Sequence, residues 1–166
     1  TPFSIDFGVG DVIVPKQEKR KIPTQLDDFT SPTVNTYSLE TTIAEKLDAI
    51  LDLMEFSSRM KDYYDIYYLA NKFDFDGATL TKALKKTFEN RGHAFTIEQF
   101  EQVMAFAEND AMQKKWKAFC RKIDTKTADF NAVLKTIKEF LIEPFMATVE
   151  NKEFEEKWTT LESKWH

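Results

Sequence analysis

Phe3, Ile5, Phe7 and Val9 fall on one side of an extended chain and Ser4, Asp6 and Gly8 on the other, the two-residue period of a half-buried strand. Gly10-Asp11 marks a turn, and residues 12–14 predict a second short strand stopped by Pro15. KQEKRK (16–21) reads as a solvated, mostly basic loop. Residues 22–37 hold Pro23, Pro32 and several Asp, Thr and Ser, and read as extended chain with room for one more short strand. Near residue 38 the pattern turns helical. Ser38 suits an N-cap, with Glu40 in the first turn of a helix over about 39–54. A second helix starts near Ser57 or Ser58 and reaches about Asn71, and FDFDG (73–77) is a break. Further helices are predicted over 79–90, ended at Arg91-Gly92; from a Thr96 cap through 107; and over 110–123, 129–141 and 152–165, with Pro144 marking a break before the last. The fold class expected is α+β, predominantly α: short β-strands at the N-terminus followed by a C-terminal helical bundle. No internal repeat is evident.

With 166 residues, 42% hydrophobic and 14% aromatic, the chain can bury a core as one domain or two small lobes. A net charge of −5 argues against binding nucleic acid by bulk charge, so a polyanion would need a local basic patch. The densest basic run, Lys114-Lys115-Trp116-Lys117-Ala118-Phe119-Cys120-Arg121-Lys122, is either such a patch or, the favoured reading, a solvated basic face with Trp116, Phe119 and Ile123 on the core side. The single cysteine, Cys120, excludes an internal disulfide framework and a Cys-rich zinc site. There is neither an apolar run long enough to span a bilayer nor a secretory signal. The expectation is a cytoplasmic protein without a membrane partner. The chain begins Thr-Pro-Phe, already in strand pattern, and reads as the downstream part of a longer protein.

Chemistry is expected at residues 43–70. Lys46 is flanked by Ile43, Ile50 and Leu53, and Asp62 stands in line with Ile66 and Leu69. Charges on apolar stripes must be paired or face a cleft, because an unpaired buried charge is costly. Arg59 with Asp62, Asp62 with Asp65 and Lys61 with Asp65 have the spacing of helix neighbours. An antiparallel helix pair would bring Lys46 and Asp62 to one cleft, a setting suited to phosphate or a metal–nucleotide. Tyr63, Tyr64, Tyr67 and Tyr68 read mostly as packing, with one available to stack on a base. His93 reads as a lone exposed histidine and Arg91 as a favourable charge at a helix end. Asp6, between Ile5 and Phe7, points a carboxylate off one sheet face; such carboxylates can hold Mg²⁺ against nucleotide oxygens.

The segments IDFGVGDVIVP, YSLETTIAEKLDAI, SRMKDYYDIYYLA and LTKALKKTFENRG together resemble the AbiEii/AbiGii-type nucleotidyltransferase toxins, of polymerase-β-like fold, over roughly residues 3–95 and more weakly beyond. Lys46-Leu47-Asp48-Ala49 matches that family's third motif, and Arg59-Met60-Lys61-Asp62 with Asp65 its fourth. The resemblance implies transfer of a nucleoside monophosphate from a nucleoside triphosphate to an acceptor such as the 3′ end of tRNA, in a toxin–antitoxin or phage-defence setting with a cognate antitoxin. It implies catalytic roles for Lys46, Asp62 and Asp65, nucleotide binding by Lys46, Arg59 and Lys61, and Mg²⁺ held in part by Asp6. The family's glycine–serine loop and paired strand carboxylates have no match here. Residues 1–37 are therefore expected to end an incomplete nucleotidyltransferase sheet and 38–166 to form a helical domain, with the chain inactive alone. Two other readings stay open: a non-catalytic helical module that binds RNA or protein, and a degenerate nucleotidyltransferase.

Overall fold

A computed structural model describes residues 10, 12–123 and 128–166. In chain order the elements are β1 (Glu18–Lys21), β2 (Thr33–Thr36), α1 (Leu39–Leu53), α2 (Met60–Lys72), β3 (Phe75–Asp76), α3 (Gly77–Arg91), α4 (Ile97–Met104), α5 (Asp110–Lys122), α6 (Phe130–Val149), β4 (Lys157–Thr159) and β5 (Lys164–Trp165). The class is α+β, predominantly helical, as the hydrophobic pattern predicts. No helix among the described residues is long and apolar enough to cross a membrane.

Local chemistry sets most helix starts. The Ser38 hydroxyl accepts from Thr41 N at 3.1 Å and donates to the Val14 carbonyl. Thr41 Oγ1 accepts from Val14 N at 2.8 Å, so residue 14 is tied to the first turn of α1. Residues 12–14 therefore serve as an anchor for α1 and form no strand. Asp76, Thr96, Asn109 and Asp129 cap α3, α4, α5 and α6 through the same oxygen-to-amide bond. Gly92, at φ 69°, closes α3 in the left-handed conformation that glycine adopts without strain.

The core is built on α6, which packs against α2, α3 and α4, while α1 packs chiefly on α3. Tyr63, Phe100, Phe130, Phe140, Phe145 and Trp158 are fully buried there.

Three further expectations are corrected. The basic loop 16–21 contributes β1, which pairs antiparallel with β2 from Glu18↔Thr36 to Lys21↔Thr33. The helix expected over 129–141 runs on through Pro144 to Val149. A proline in a helix frees the carbonyl four residues back. Here that carbonyl, of Phe140, accepts from Trp165 Nε1 at 2.9 Å. The helix expected over 152–165 is absent. Phe154, Trp158, Leu161 and Trp165 have helical spacing, but β4 and β5 instead extend a three-stranded antiparallel sheet from β3. Trp158 Nε1 donates to the Ala70 carbonyl at the end of α2 at 2.8 Å, and Leu161 is left exposed in the turn. The two indole bonds and the burial of both rings favour the sheet over an isolated helix. Gly77 is required beneath it: a Cβ there would stand 2.6 Å from the Glu156 carbonyl oxygen.

Candidate active site

The α1–α2 connection brings the expected charges together. A 3₁₀ turn at Met54–Phe56 reverses the chain, and Ser57 Oγ accepts from Arg59 N at 3.0 Å, fixing the entry to α2. Asp62 then falls in the first turn of α2, where the helix dipole favours a carboxylate. Across the interface, Lys46 Nζ donates to Asp62 Oδ1 at 3.1 Å and lies 2.7 Å from Asp65 Oδ2. Arg59 Nε stands 2.7 Å from Asp62 Oδ2 in an ionic contact without hydrogen-bond alignment. Lys61 Nζ reaches Asp65 Oδ2 at 2.5 Å. The Lys46 side chain is 18% exposed and that of Asp62 4%. Three cations face two carboxylates, so the cluster keeps a positive surplus suited to an anion.

A cleft of about 220 Å³ opens beside it, lined by Tyr37, Thr42, Glu45, Lys46, Ala49, Arg59 and Arg91. Lys46 and Arg59 thus face the cleft. Asp62 lies behind them and orients both cations. Lys61 and Asp65 flank the cluster outside the cleft lining. Tyr63 is core, packed edge-on against Phe130, and burial, with the Asp62 charge second, pushes its hydroxyl well above the usual tyrosine range. The aromatic ring at the cleft is Tyr37 and not one of the four tyrosines of α2.

A second cluster, absent from the sequence-based expectations, sits on the neighbouring face of α1. Asp48, with its side chain 1% exposed, accepts from Arg91 Nη1 at 2.8 Å and from His93 Nδ1 at 2.8 Å. Arg91 also contacts Glu45, and His93 Nε2 lies 3.7 Å from Asp52. Burial raises the Asp48 carboxyl above its usual range, against the lowering effects of the His93 hydrogen bond and charge. The same stripe argument that singles out Lys46 applies to Asp48, in line with Ala44 and Leu51 on α1. Its partners, 43 and 45 residues further on, carry no such local signal.

These carboxylates do not make a metal site. Asp62 and Asp65 are already engaged by Lys46, Arg59 and Lys61, and Asp48 is closed off by Arg91 and His93. Among the described residues no three His, Cys, Asp or Glu side chains come together in a way that would hold a metal ion. Asp6, the expected ligand, lies outside the described residues.

The basic run 114–122 lies on α5. Trp116 is on the core side, stacked on Phe130 with ring centres 5.4 Å apart, and Phe119 packs on Tyr64. Ile123, expected beside them, is 39% exposed, because α5 ends at Lys122.

No curated protein and no solved structure matches the chain. Residues 1–158 match the family model described as the nucleotidyl transferase AbiEii toxin of type IV toxin–antitoxin systems. The match spans α1, α2 and the cluster between them, and the chain belongs to the AbiEii family of nucleotidyltransferase toxins.

Proposed function

We propose that the cleft beside α1 and α2 is the triphosphate-binding wall of a nucleotidyl-transfer site, with an RNA acceptor, the 3′ end of tRNA being the expected one. The observation that carries this reading is Lys46. It breaks an apolar stripe, is held between Asp62 and Asp65, and faces a cleft also lined by Arg59 and Arg91. In the transfer, an acceptor hydroxyl attacks the α-phosphorus of a nucleoside triphosphate. A new P–O bond forms, the α–β phosphoanhydride bond breaks, pyrophosphate leaves and the hydroxyl gives up its proton. Lys46 and Arg59 meet the charge that builds on the phosphate oxygens, and cations fixed in advance stabilise it without reorganising.

Asp62 and Asp65 act on this reading as positioning residues. They hold the ammonium of Lys46 in place, and Asp62 does the same for the guanidinium of Arg59. Arg91 joins them from α3, its guanidinium held by Asp48 and Glu45. Mg²⁺ accompanies the nucleotide, with Asp6 as its candidate ligand outside this cluster. β1 and β2 are on this reading the end of the nucleotidyltransferase sheet, and the helices from α1 onward form the wall of the site.

The test is incorporation of labelled nucleotide into tRNA by the protein, alongside fluorescence binding of a nucleoside triphosphate. Lys46→Met is expected to lower incorporation at least about 100-fold and to weaken triphosphate binding. Incorporation by Lys46→Met at the unmutated rate would overturn the assignment. A protein that binds RNA but incorporates nothing in either form supports the binding-module reading instead.

A further inference from the structure

The outer face of α5 is a second place where cations gather. Lys114, Lys117 and Arg121 recur at the spacing of one helix face, and all three are exposed. Among the described residues none of them has an ion-pair or hydrogen-bond partner. Single lysines on other helices, Lys72 on α2 and Lys82 on α3, are also exposed without such a partner among the described residues, but Lys114, Lys117 and Arg121 gather on one face. The three cations border a cavity of about 520 Å³ that reaches down to Trp116, Cys120 and Phe130. That volume lies within the range of small-ligand sites. Asp129, also at its edge, is occupied in capping α6 through Ala132 N at 2.9 Å.

The face is also tied to the cleft. Lys115, from the same helix, donates through Nζ to the carbonyls of Glu55 at 2.7 Å and Ser57 at 2.9 Å. These belong to the α1–α2 connection that fixes Arg59. The basic helix is thus latched to the backbone that positions the triphosphate-facing residues.

We infer that α5 is an RNA-binding surface that holds the acceptor strand beside the nucleotidyl-transfer site, with phosphates on Lys114, Lys117 and Arg121 and a base in the cavity beneath them. This rests on the reading of the cleft given above. Cations above an apolar, aromatic-floored cavity match the layout of a nucleotide, charged at the backbone and flat and weakly polar at the base. An acidic peptide would use the charge and leave the cavity floor without a role.

The experiment measures binding of the protein to tRNA and to a short single-stranded RNA, across a salt series, for the unmutated protein, a Lys114→Glu/Lys117→Glu/Arg121→Glu variant and Lys46→Met. The charge-reversed variant is expected to lose at least about tenfold in RNA affinity and to show a shallower salt dependence, because each lost phosphate contact removes about one released counterion. Its triphosphate binding is expected to be unchanged. Lys46→Met is expected to show the reverse: RNA affinity retained and triphosphate binding lost. A Lys114→Gln/Lys117→Gln/Arg121→Gln variant with the same thermal melt as the unmutated protein controls for folding and should lose RNA affinity in the same direction. RNA affinity and salt slope unchanged in both triple variants would overturn the inference. So would retained RNA affinity with lost binding of polyglutamate, measured in the same salt series, which would mark an acidic-protein surface. Loss of RNA binding in the triple variants, with incorporation intact in Lys46→Met, would uphold the α5 surface and reject the cleft assignment alone.

Discussion

Two charged clusters share helix α1 and are built for opposite ends. Around Lys46, three cations meet two carboxylates, and Lys46 and Arg59 face a cleft that Arg91 and Glu45 also line. Around Asp48, one buried carboxylate is matched from two sides by Arg91 and His93. On the proposed reading, the first leaves charge for a ligand. The second uses its charge to lock α1 to the end of α3. Arg91 belongs to both, since it bonds Asp48 and lines the cleft. The difference teaches that a charge on an apolar stripe marks a constraint, and that only its partners and its access to solvent separate binding from architecture.

Removing one partner from each cluster should separate them most strongly. Arg91→Ala leaves Asp48 buried with His93 alone, and loss of one partner of a buried pair is costly. A loss of about 2–3 kcal/mol in urea unfolding is expected, part of the usual penalty being offset by His93. Lys46→Met removes the hydrogen bond to the buried Asp62 carboxylate but leaves it beside Arg59, and Asp65 beside Lys61, and should cost about 1–2 kcal/mol while lowering transfer at least about 100-fold. Equal destabilisation by the two variants would erase the distinction. The pH dependence sharpens it further. The Asp48 carboxyl is raised in the folded state, chiefly by burial, so the folded chain binds a proton there more readily than the unfolded chain. Stability from this group therefore falls as pH rises through its folded pKa. Thermal melts of the unmutated protein and Asp48→Asn should show the gap between them widening, in favour of the unmutated protein, as pH is lowered from neutrality toward the ordinary aspartate range.

The sequence shows α1 and α2 almost residue for residue, because their stripes, the Ser38 cap and the break at 57–58 are local signals. Lys46, Arg59, Lys61, Asp62 and Asp65 are legible for the same reason, since each lies within one helical turn of a partner or on a stripe. What stays hidden depends on partners far along the chain. Asp48 finds Arg91 and His93, and the Phe140 carbonyl finds Trp165. Pro144 reads as a helix end because nothing near it shows what would take up the freed carbonyl. The segment around Trp158 and Trp165 mimics a helix because four apolar residues happen to carry helical spacing.

That long-range bond extends the comparison from a buried carboxylate to a neutral acceptor. Trp165→Phe removes the donor to the Phe140 carbonyl and should cost about 1–2 kcal/mol, measured by denaturant unfolding. Most of this should depend on Pro144. In a Pro144→Ala background the substituted residue supplies a backbone N–H to the Phe140 carbonyl, and the cost of Trp165→Phe should shrink by about 1 kcal/mol in a double-mutant cycle. Additive effects would mean that the indole stabilises the sheet by packing alone, through its stack on Phe140 with ring centres 5.8 Å apart.

The smallest effect is expected at Lys61, and it bears most directly on where the binding cluster ends. The resemblance gives Lys61 a nucleotide contact, but its side chain is 70% exposed and its partner is Asp65, on the far side of Lys46 from the cleft lining. An exposed pair four residues apart on a helix contributes about 0.3–0.5 kcal/mol. Asp65 keeps Lys46 when Lys61 is removed. Lys61→Ala should therefore lower transfer by no more than about threefold, since losing about half a kcal/mol of positioning changes a rate by little more than twofold. Its triphosphate affinity should stay near that of the unmutated protein. A loss comparable to that of Lys46→Met would place Lys61 on the nucleotide itself and would require the phosphate path to run over the outer face of α2, past Asp65, instead of between Lys46, Arg59 and Arg91.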